Sequence, residues 1–304
     1  MTNVNDSIWR GFKRYSIPNT QFTLTGVSEA ARHTCLYIPE IDMLLDCGMP
    51  YNFVPKRILI THCHWDHISG IGSSLFEDRA KPTVILPRVV IQKFGILLDT
   101  MLSLGGGNAK HTDRVELLPA TIGERITMTI NNKPWIIEPI KCIHSVPTTG
   151  YGLIEVDEPS IDETDVRELT QSYGLMEIRN DLKTEFKGLA SSDIASIVRS
   201  GVKVAEPVEH PIICYLCDTD HRVLTDPLID KYNVIIIECT FLSVEDARKA
   251  KKDKHMHWDN LEPYIMAHPT KTFFLIHFSQ RYDVHYIRSF FVKKGYTNVI
   301  PFGV

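Results

Sequence analysis

The stretch THCHWDHISG, residues 61–70, follows directly on the apolar run RILI at 57–60. His62, His64, Asp66 and His67 fall within six positions of one another. A short apolar run bounded by a polar turn reads as a buried strand, so the cluster is delivered at a strand end. Imidazole and carboxylate are the usual zinc ligands of enzymes, at about 2.0–2.2 Å from the ion. One tetrahedral ion with an open position needs only three protein groups, and this turn offers more. The economical reading is two cations, His62 and His64 on one and Asp66 and His67 on the other. Two cations about 3.5–4 Å apart can clamp an anionic transition state. Surface histidines gathered by chance are the bland alternative, and the density of the cluster at a buried strand end argues against them.

Such a pair needs further ligands from elsewhere. His144 follows WIIEPIKCI, Asp218 follows IICYLC and His277 follows TFFLI, so all three emerge just past an apolar run, at the rim of a sheet. Asp46, at the end of MLLDCG, is placed to fix a ligand histidine's tautomer from behind.

Period-two and continuous apolar patterns predict strands over 21–27, 35–38, 42–46, 57–60, 83–86, 115–118, 125–130, 134–141, 212–217, 233–237 and 272–276, with NNK as a hairpin turn before Pro134. Helical periodicity begins near Ile68 and covers 88–103, 243–252, 258–267 and 283–294. Strands and helices alternate, which makes this an α/β chain. Residues 155–210 carry many charges and two amphipathic stretches, and read as an insertion between core strands of one domain spanning 1–304.

A chain of 304 residues that is 43% hydrophobic has ample surface to bury. No apolar run reaches a membrane span, and the N-terminus lacks the apolar stretch of a secretory signal. Seven scattered cysteines, an odd number, suit free thiols in a reducing compartment. The expectation is a cytoplasmic protein. A net charge of -4 does not announce a nucleic-acid binder, so any phosphate recognition must rest on local basic patches.

Eight stretches carry a resemblance: HTCLYIPEIDMLLDCG (33–48), ITHCHWDHISG (60–70), IHSVPTTGYGL (143–153), LKTEFKGL (182–189), SGVKV (200–204), CDTD (217–220), ECTFL (238–242) and IHFSQRY (276–282). Together they resemble the metallo-β-lactamase superfamily and, within it, the short form of ribonuclease Z, the endonuclease that trims the 3′ trailer from precursor tRNA. The H-x-H-x-D-H cluster marks only the superfamily. The E-C-T-F and H-F-S-x-R-Y stretches and His255 point to ribonuclease Z.

The resemblance implies an αββα sandwich of two mixed sheets flanked by helices, with an inserted arm. It implies two zinc ions, with manganese or iron as alternatives. His62, His64 and His144 would hold the first, Asp66, His67 and His277 the second, and Asp218 would bridge them. Asp66 would take the proton of the attacking water, and His255, oriented by Glu238, would protonate the leaving ribose 3′-oxygen. His257 is a nearby competitor for that role. Ser279, Arg281 and Thr34 would contact substrate. The insertion corresponds to a tRNA-gripping arm, with Lys183, Lys187, Arg199 and Lys203 facing phosphate, in a homodimer whose subunits lend arms to each other.

Some positions depart from the family. Cys217 stands where a glycine usually precedes the bridging aspartate, and Arg32 replaces a glycine ahead of His33. Cys214 and Cys217 form a C-x-x-C that, on a strand, faces opposite sides and so does not share a metal or a disulfide. The run RKAKKDK at 248–254 is a solvated face that leads into His255 and is placed to attract phosphate. Two other classes of function compete. One is a hydrolase of β-lactams, thioesters or lactones, or a broader RNA nuclease. The other is a non-catalytic binding protein, against which the complete ligand set argues.

Overall fold

The computed structural model of the chain describes residues 9, 11–53, 55–76, 81–106, 108–157, 183–186, 189, 191–200, 202, 204 and 206–304. Its strands form two sheets. The first runs in order β1 (Tyr15–Ser16), β2 (Thr23–Glu29), β3 (His33–Ile38), β4 (Met43–Leu45), β5 (Arg57–Leu59), β6 (Thr83–Pro87), β7 (Glu116–Ala120). Pairs β1 to β4 are antiparallel and β4 to β7 parallel. The second contains β8 (Ile126–Ile130), β9 (Lys133–Lys141), β10 (Thr149–Asp157), β11 (Val208–Leu216), β12 (Val234–Glu238), β13 (Thr272–Ile276) and β14 (Val299–Pro301), each beside the next. Strands β11 to β14 are parallel.

Alternation along the strands builds the layers. Leu44, Ile58, Ile60, Val84 and Leu86 face one way, against Ile68, Ile71 and Leu75 and against Phe94, Leu98 and Leu102 of the helix Ile91–Leu104. Each such aliphatic side chain contributes about 1.5–3 kcal/mol by leaving water. The intervening Leu36, Leu45, Leu59 and Ile85 are also fully buried, on the opposite face. There the sheets meet: the Tyr151 hydroxyl donates to the Ile60 carbonyl at 2.7 Å, and the Thr149 N–H to the Thr61 carbonyl at 2.9 Å. Helices Trp258–Ala267 and Val284–Lys294 cover the second sheet, with Tyr264 against Phe273 and Trp258 against Phe291. The result is two mixed sheets flanked by helices.

Contacts divide the chain into two units: Met1–Ile126, Ile137–Leu153 and Pro211–Val304 form one, and Thr127–Ile136 with Ile154–His210 the other. In the second, the hairpin turn at Asn131 and Asn132 has φ of 51° and 64°, the left-handed pair that a tight β-hairpin needs. Ile194 of the helix Ser191–Arg199 packs with Val204, Phe186 and Ile197.

Most expected elements are present within a few residues. The helix expected from Ile68 starts at Trp65, inside the histidine cluster, with His64 extended as its N-cap. Strands β1, β10 and β14 escaped the pattern, because β1 is two residues long, β10 is punctuated by Gly150 and Gly152, and β14 ends in a proline.

Candidate active site

The functional side chains sit on the loops that follow β4, β5, β9, β11, β12 and β13, at the carboxyl ends of those strands, where open α/β sheets commonly bind ligands. Asp46, Asp218 and His277 adopt left-handed backbone with φ of 56°, 54° and 62°. For residues other than glycine that conformation costs about 1–3 kcal/mol each and gathers at functional sites. The loop after β4 is pinned to the histidine turn: Cys47 N–H donates to His67 O at 2.9 Å, and Gly70 N–H to Cys47 O at 2.7 Å. A Cβ on Gly48 would lie 1.7 Å from the Asp66 carbonyl oxygen, so only glycine allows this approach.

Asp46 is fully buried and accepts four hydrogen bonds: from Thr61 N–H at 2.7 Å, the Thr61 hydroxyl at 2.9 Å, the Tyr215 hydroxyl at 2.6 Å and His67 Nδ1 at 2.9 Å. A carboxylate only accepts, so the neutral His67 ring keeps its proton on Nδ1 and turns Nε2 to the site. The same reasoning covers His62. The Thr61 hydroxyl gives its proton to Asp46, so it accepts from His62 Nδ1 at 3.1 Å. His144 Nδ1 lies 3.3 Å from the Lys254 carbonyl, which can only accept. His62, His67 and His144 thus present Nε2, as metal-binding imidazoles do when the other nitrogen is tied down.

These nitrogens converge with two carboxylates. His64 Nδ1 is 2.9 Å from His62 Nε2 and 3.3 Å from His144 Nε2. Asp218 Oδ2 is 3.6 Å from both His62 Nε2 and His144 Nε2. Its Oδ1 is 3.4 Å from His67 Nε2 and 3.3 Å from His277 Nε2, and those nitrogens are 3.6 Å and 3.7 Å from Asp66 Oδ2. Donors about 2.0–2.1 Å from one tetrahedral centre lie about 3.3 Å apart, so both groups have the spacing of a divalent cation site. His67 Nε2 and His277 Nε2 are buried without a hydrogen-bond partner, as expected of atoms meant for a cation. Both sets fit divalent metal.

The electrostatics agree. Burial pushes Asp218 toward the neutral acid, but His277, His67 and His62 more than reverse this and hold it well below the usual carboxylate range. Burial pushes His67 down, and Asp218, Asp46 and Asp66 outweigh it, raising it to about 9. The site demands positive charge, and a cation competes with protons for it.

Glu238, fully buried, lies beside this cluster and holds His255, with Oε1 3.0 Å from His255 Nδ1. The rings of His255 and His277 stack at 5.5 Å. His257, the competitor, has neither ring nitrogen free: Nε2 donates to Ser243 O at 2.8 Å and Nδ1 accepts from Asp259 N–H at 3.1 Å, capping the next helix. The lysine-rich run forms the helix Ala247–Asp253, which ends on Lys254 in left-handed backbone with φ of 58°. There the Lys254 ammonium donates to His144 O at 3.0 Å.

A cleft of about 510 Å³ opens over the cluster, lined by His64, Asp66, Asp218, His255 and His277, with Lys249, Ser279 and Arg281 at its walls. The Arg281 guanidinium is half exposed and paired with Asp246 at 3.0 Å. Thr34 is not on the cleft: it is fully buried, its hydroxyl 3.0 Å from that of Ser28, so its side chain has no access to substrate. Arg32 pairs with Glu29 on the surface. Cys217 packs inward, its thiol 3.2 Å from Asp218 Oδ1, and all seven cysteines are free. Lys183 is half-buried in the second unit, and Lys187 and Lys203 lie outside the described residues. Among the described residues, no helix is long and apolar enough to cross a membrane.

Sequence reasoning missed Thr61, Thr240, Tyr215 and Lys254. The two threonines stand inside the quoted motifs, in I-T-H and E-C-T-F, next to or two residues from a candidate site residue. Their placement was the available signal.

No family model matches the chain. It is similar to tRNase Z TRZ2, chloroplastic, of Arabidopsis thaliana, 26% identical over 301 residues that cover 95% of this chain and 77% of that protein. Similarity to tRNase Z TRZ1 of the same plant is 25% over 276 residues, 86% of this chain and 87% of that protein. Ribonuclease Z of Borrelia recurrentis is 27% identical over 247 residues, 76% of this chain and 71% of that protein. Among solved structures, the metallo-β-lactamase fold protein YhfI of Bacillus subtilis matches with a TM-score of 0.54 at 13% identity, covering 90% of this chain and 92% of that one. The two flanked mixed sheets are the metallo-β-lactamase fold that the motifs implied.

Proposed function

We propose that this chain is a metal-dependent endoribonuclease that removes the 3′ trailer of precursor tRNA. The observation that carries the reading is the Glu238–His255 pair set against the His/Asp cluster, since a proton donor there serves a poor alkoxide leaving group. Similarity along most of the chain to proteins named tRNase Z and ribonuclease Z supports the substrate class.

In this reading His62, His64 and His144 would hold one zinc ion and Asp66, His67 and His277 the other, with Asp218 placed between the two sets. Manganese or iron would suit the same donors. When bound, the pair supplies a water of lowered pKa and positive charge for the phosphoryl oxygens. Asp66 would accept the proton of the attacking water. Burial works against its ionisation, but the neighbouring His277 and His67 hold it well below the usual carboxylate range, so it stays an acceptor. His255 gives a proton to the departing ribose 3′-oxygen, and Glu238 fixes the donor's ring. Asp46 behind His67 holds the ligand that a loose loop would let drift. Ser279 and Arg281 contact the phosphate chain, with Arg281 exchanging Asp246 for phosphate through its forked donors. Lys183, Lys187 and the arm around 155–210 grip the tRNA body in a homodimer.

The test sets zinc-loaded protein against labelled precursor tRNA and a chromogenic β-lactam side by side, each with a chelator control. Chelator-sensitive cleavage after the discriminator base is expected. Brisk β-lactam turnover with intact tRNA would assign the chain to another hydrolase on this scaffold.

A further inference from the structure

We infer that Thr240 is a positioning residue whose hydroxyl fixes the tautomer of His277 and ties that ring to the Glu238–His255 pair. The inference rests on the two-cation reading above and concerns how the chain readies one of its ligands.

Glu238 has four donors around it: Thr219 N–H at 2.5 Å, Met256 N–H at 3.0 Å, the Thr240 hydroxyl at 2.5 Å, and His255 Nδ1 at 3.0 Å. A carboxylate offers about four lone-pair sites and no proton. Its acceptor capacity is filled, and the single Thr240 proton is committed to it. The Thr240 oxygen also lies 3.0 Å from His277 Nδ1. With its own proton spent, it can only accept there, so His277 carries its proton on Nδ1. The Nε2 lone pair then faces Asp218 and Asp66, and that nitrogen is buried without any other partner.

Removing the hydroxyl would leave the buried Nδ1–H without this acceptor. The ring's alternative is to move the proton to Nε2, where Asp218 Oδ1 and Asp66 Oδ2 would receive it. That proton occupies the place of a cation. The hydroxyl therefore excludes the competing tautomer.

The same device occurs independently on the other side of the site. The Thr61 hydroxyl donates to the buried carboxylate of Asp46 and faces His62 Nδ1 at 3.1 Å. Each of the two candidate cation sets thus contains one histidine read through a threonine that hangs from a buried carboxylate. Thr240 differs in that its carboxylate, Glu238, also holds the proton donor, His255 Nδ1 at 3.0 Å. Ligand and donor are thus linked through one carboxylate and the hydroxyl bound to it.

Calorimetric titration of zinc into metal-stripped full-length protein tests this, with circular dichroism confirming the fold of each variant. Wild type is expected to take up two equivalents. Thr240→Val should keep one of them at wild-type Kd and weaken the other by about 10–100-fold, the usual cost of losing a ligand's outer partner. Thr240→Ser, which restores the hydroxyl, should return the second equivalent to near wild type. Thr240→Ala provides the same comparison if valine disturbs packing. A folded Thr240→Val or Thr240→Ala protein that binds both equivalents as tightly as wild type overturns the role of Thr240 and leaves the function proposal standing. So does a Thr240→Ser protein as weak as the valine variant. Wild type that binds no zinc overturns both.

Discussion

Glu238 Oε1 and His255 Nδ1 meet at 3.0 Å, with the carboxylate fully buried and the ring mostly so, at the wall of the cleft that holds Asp218 and His277. Burial alone would push the His255 pKa down, but the charge and hydrogen bond of Glu238 reverse this and raise it to about 9. A proton donor must be protonated, so turnover is full below that value and falls as pH rises through it. Glu238→Gln removes the charge, and the alkaline limb of kcat should move toward the ordinary histidine range, about 6.5. An unmoved limb would show that Glu238 does not tune the donor.

His255→Ala should slow cleavage by about 10²–10⁴-fold, the usual share of a general acid, while zinc uptake stays at two equivalents. Parallel rate and metal-content measurements check this. Loss of a cation along with the rate would make His255 a ligand instead.

Asp66→Ala should reduce cutting below detection, because one side chain is asked both to hold a cation and to receive a proton. Its side chain is mostly buried at the cleft and held ionised by its histidine neighbours, so the metal-free fold should lose about 0.5–3 kcal/mol, the ordinary range for a single substitution. Urea melts of the stripped proteins measure that cost, and a collapse of stability would make Asp66 a structural residue.

Asp46 is a different case. Asp46→Ala strands the Tyr215 hydroxyl, the Thr61 hydroxyl and N–H, and His67 Nδ1 in the interior, at about 1–3 kcal/mol per unsatisfied group, so the melting temperature should fall steeply. Asp46→Asn tolerates the left-handed backbone and should fold, but it should bind zinc about 10–100-fold more weakly through a misplaced His67. An asparagine variant with wild-type affinity would show that His67 needs no such anchor.

Much of the site was legible in the chain because each candidate ligand stands just past an apolar run. His144, Asp218 and His277 announced themselves as polar residues at buried strand ends, and His62 to His67 by their density at the end of another. The hidden part depends on neighbours across the fold. Nothing local to Tyr215 says that its hydroxyl reaches Asp46, or that the Lys254 carbonyl faces His144. Asp246, which accepts from both Arg281 and the Tyr282 hydroxyl, is one acid among many in the sequence. Thr34, beside His33, had the composition of a contact residue, and only the pairing of β2 with β3, which sets it opposite Ser28, shows it buried. The fold was readable for the same reason as the ligands: its parallel strands are continuous apolar runs. Short or glycine-broken strands carried too little pattern.

The most direct test is anomalous scattering at the zinc edge from crystals of zinc-saturated protein. Two peaks are expected, one among His62, His64 and His144, the other among Asp66, His67 and His277, with Asp218 reaching both. A single peak, peaks elsewhere, or none at saturating zinc would contradict the two-cation site and the nuclease chemistry built on it.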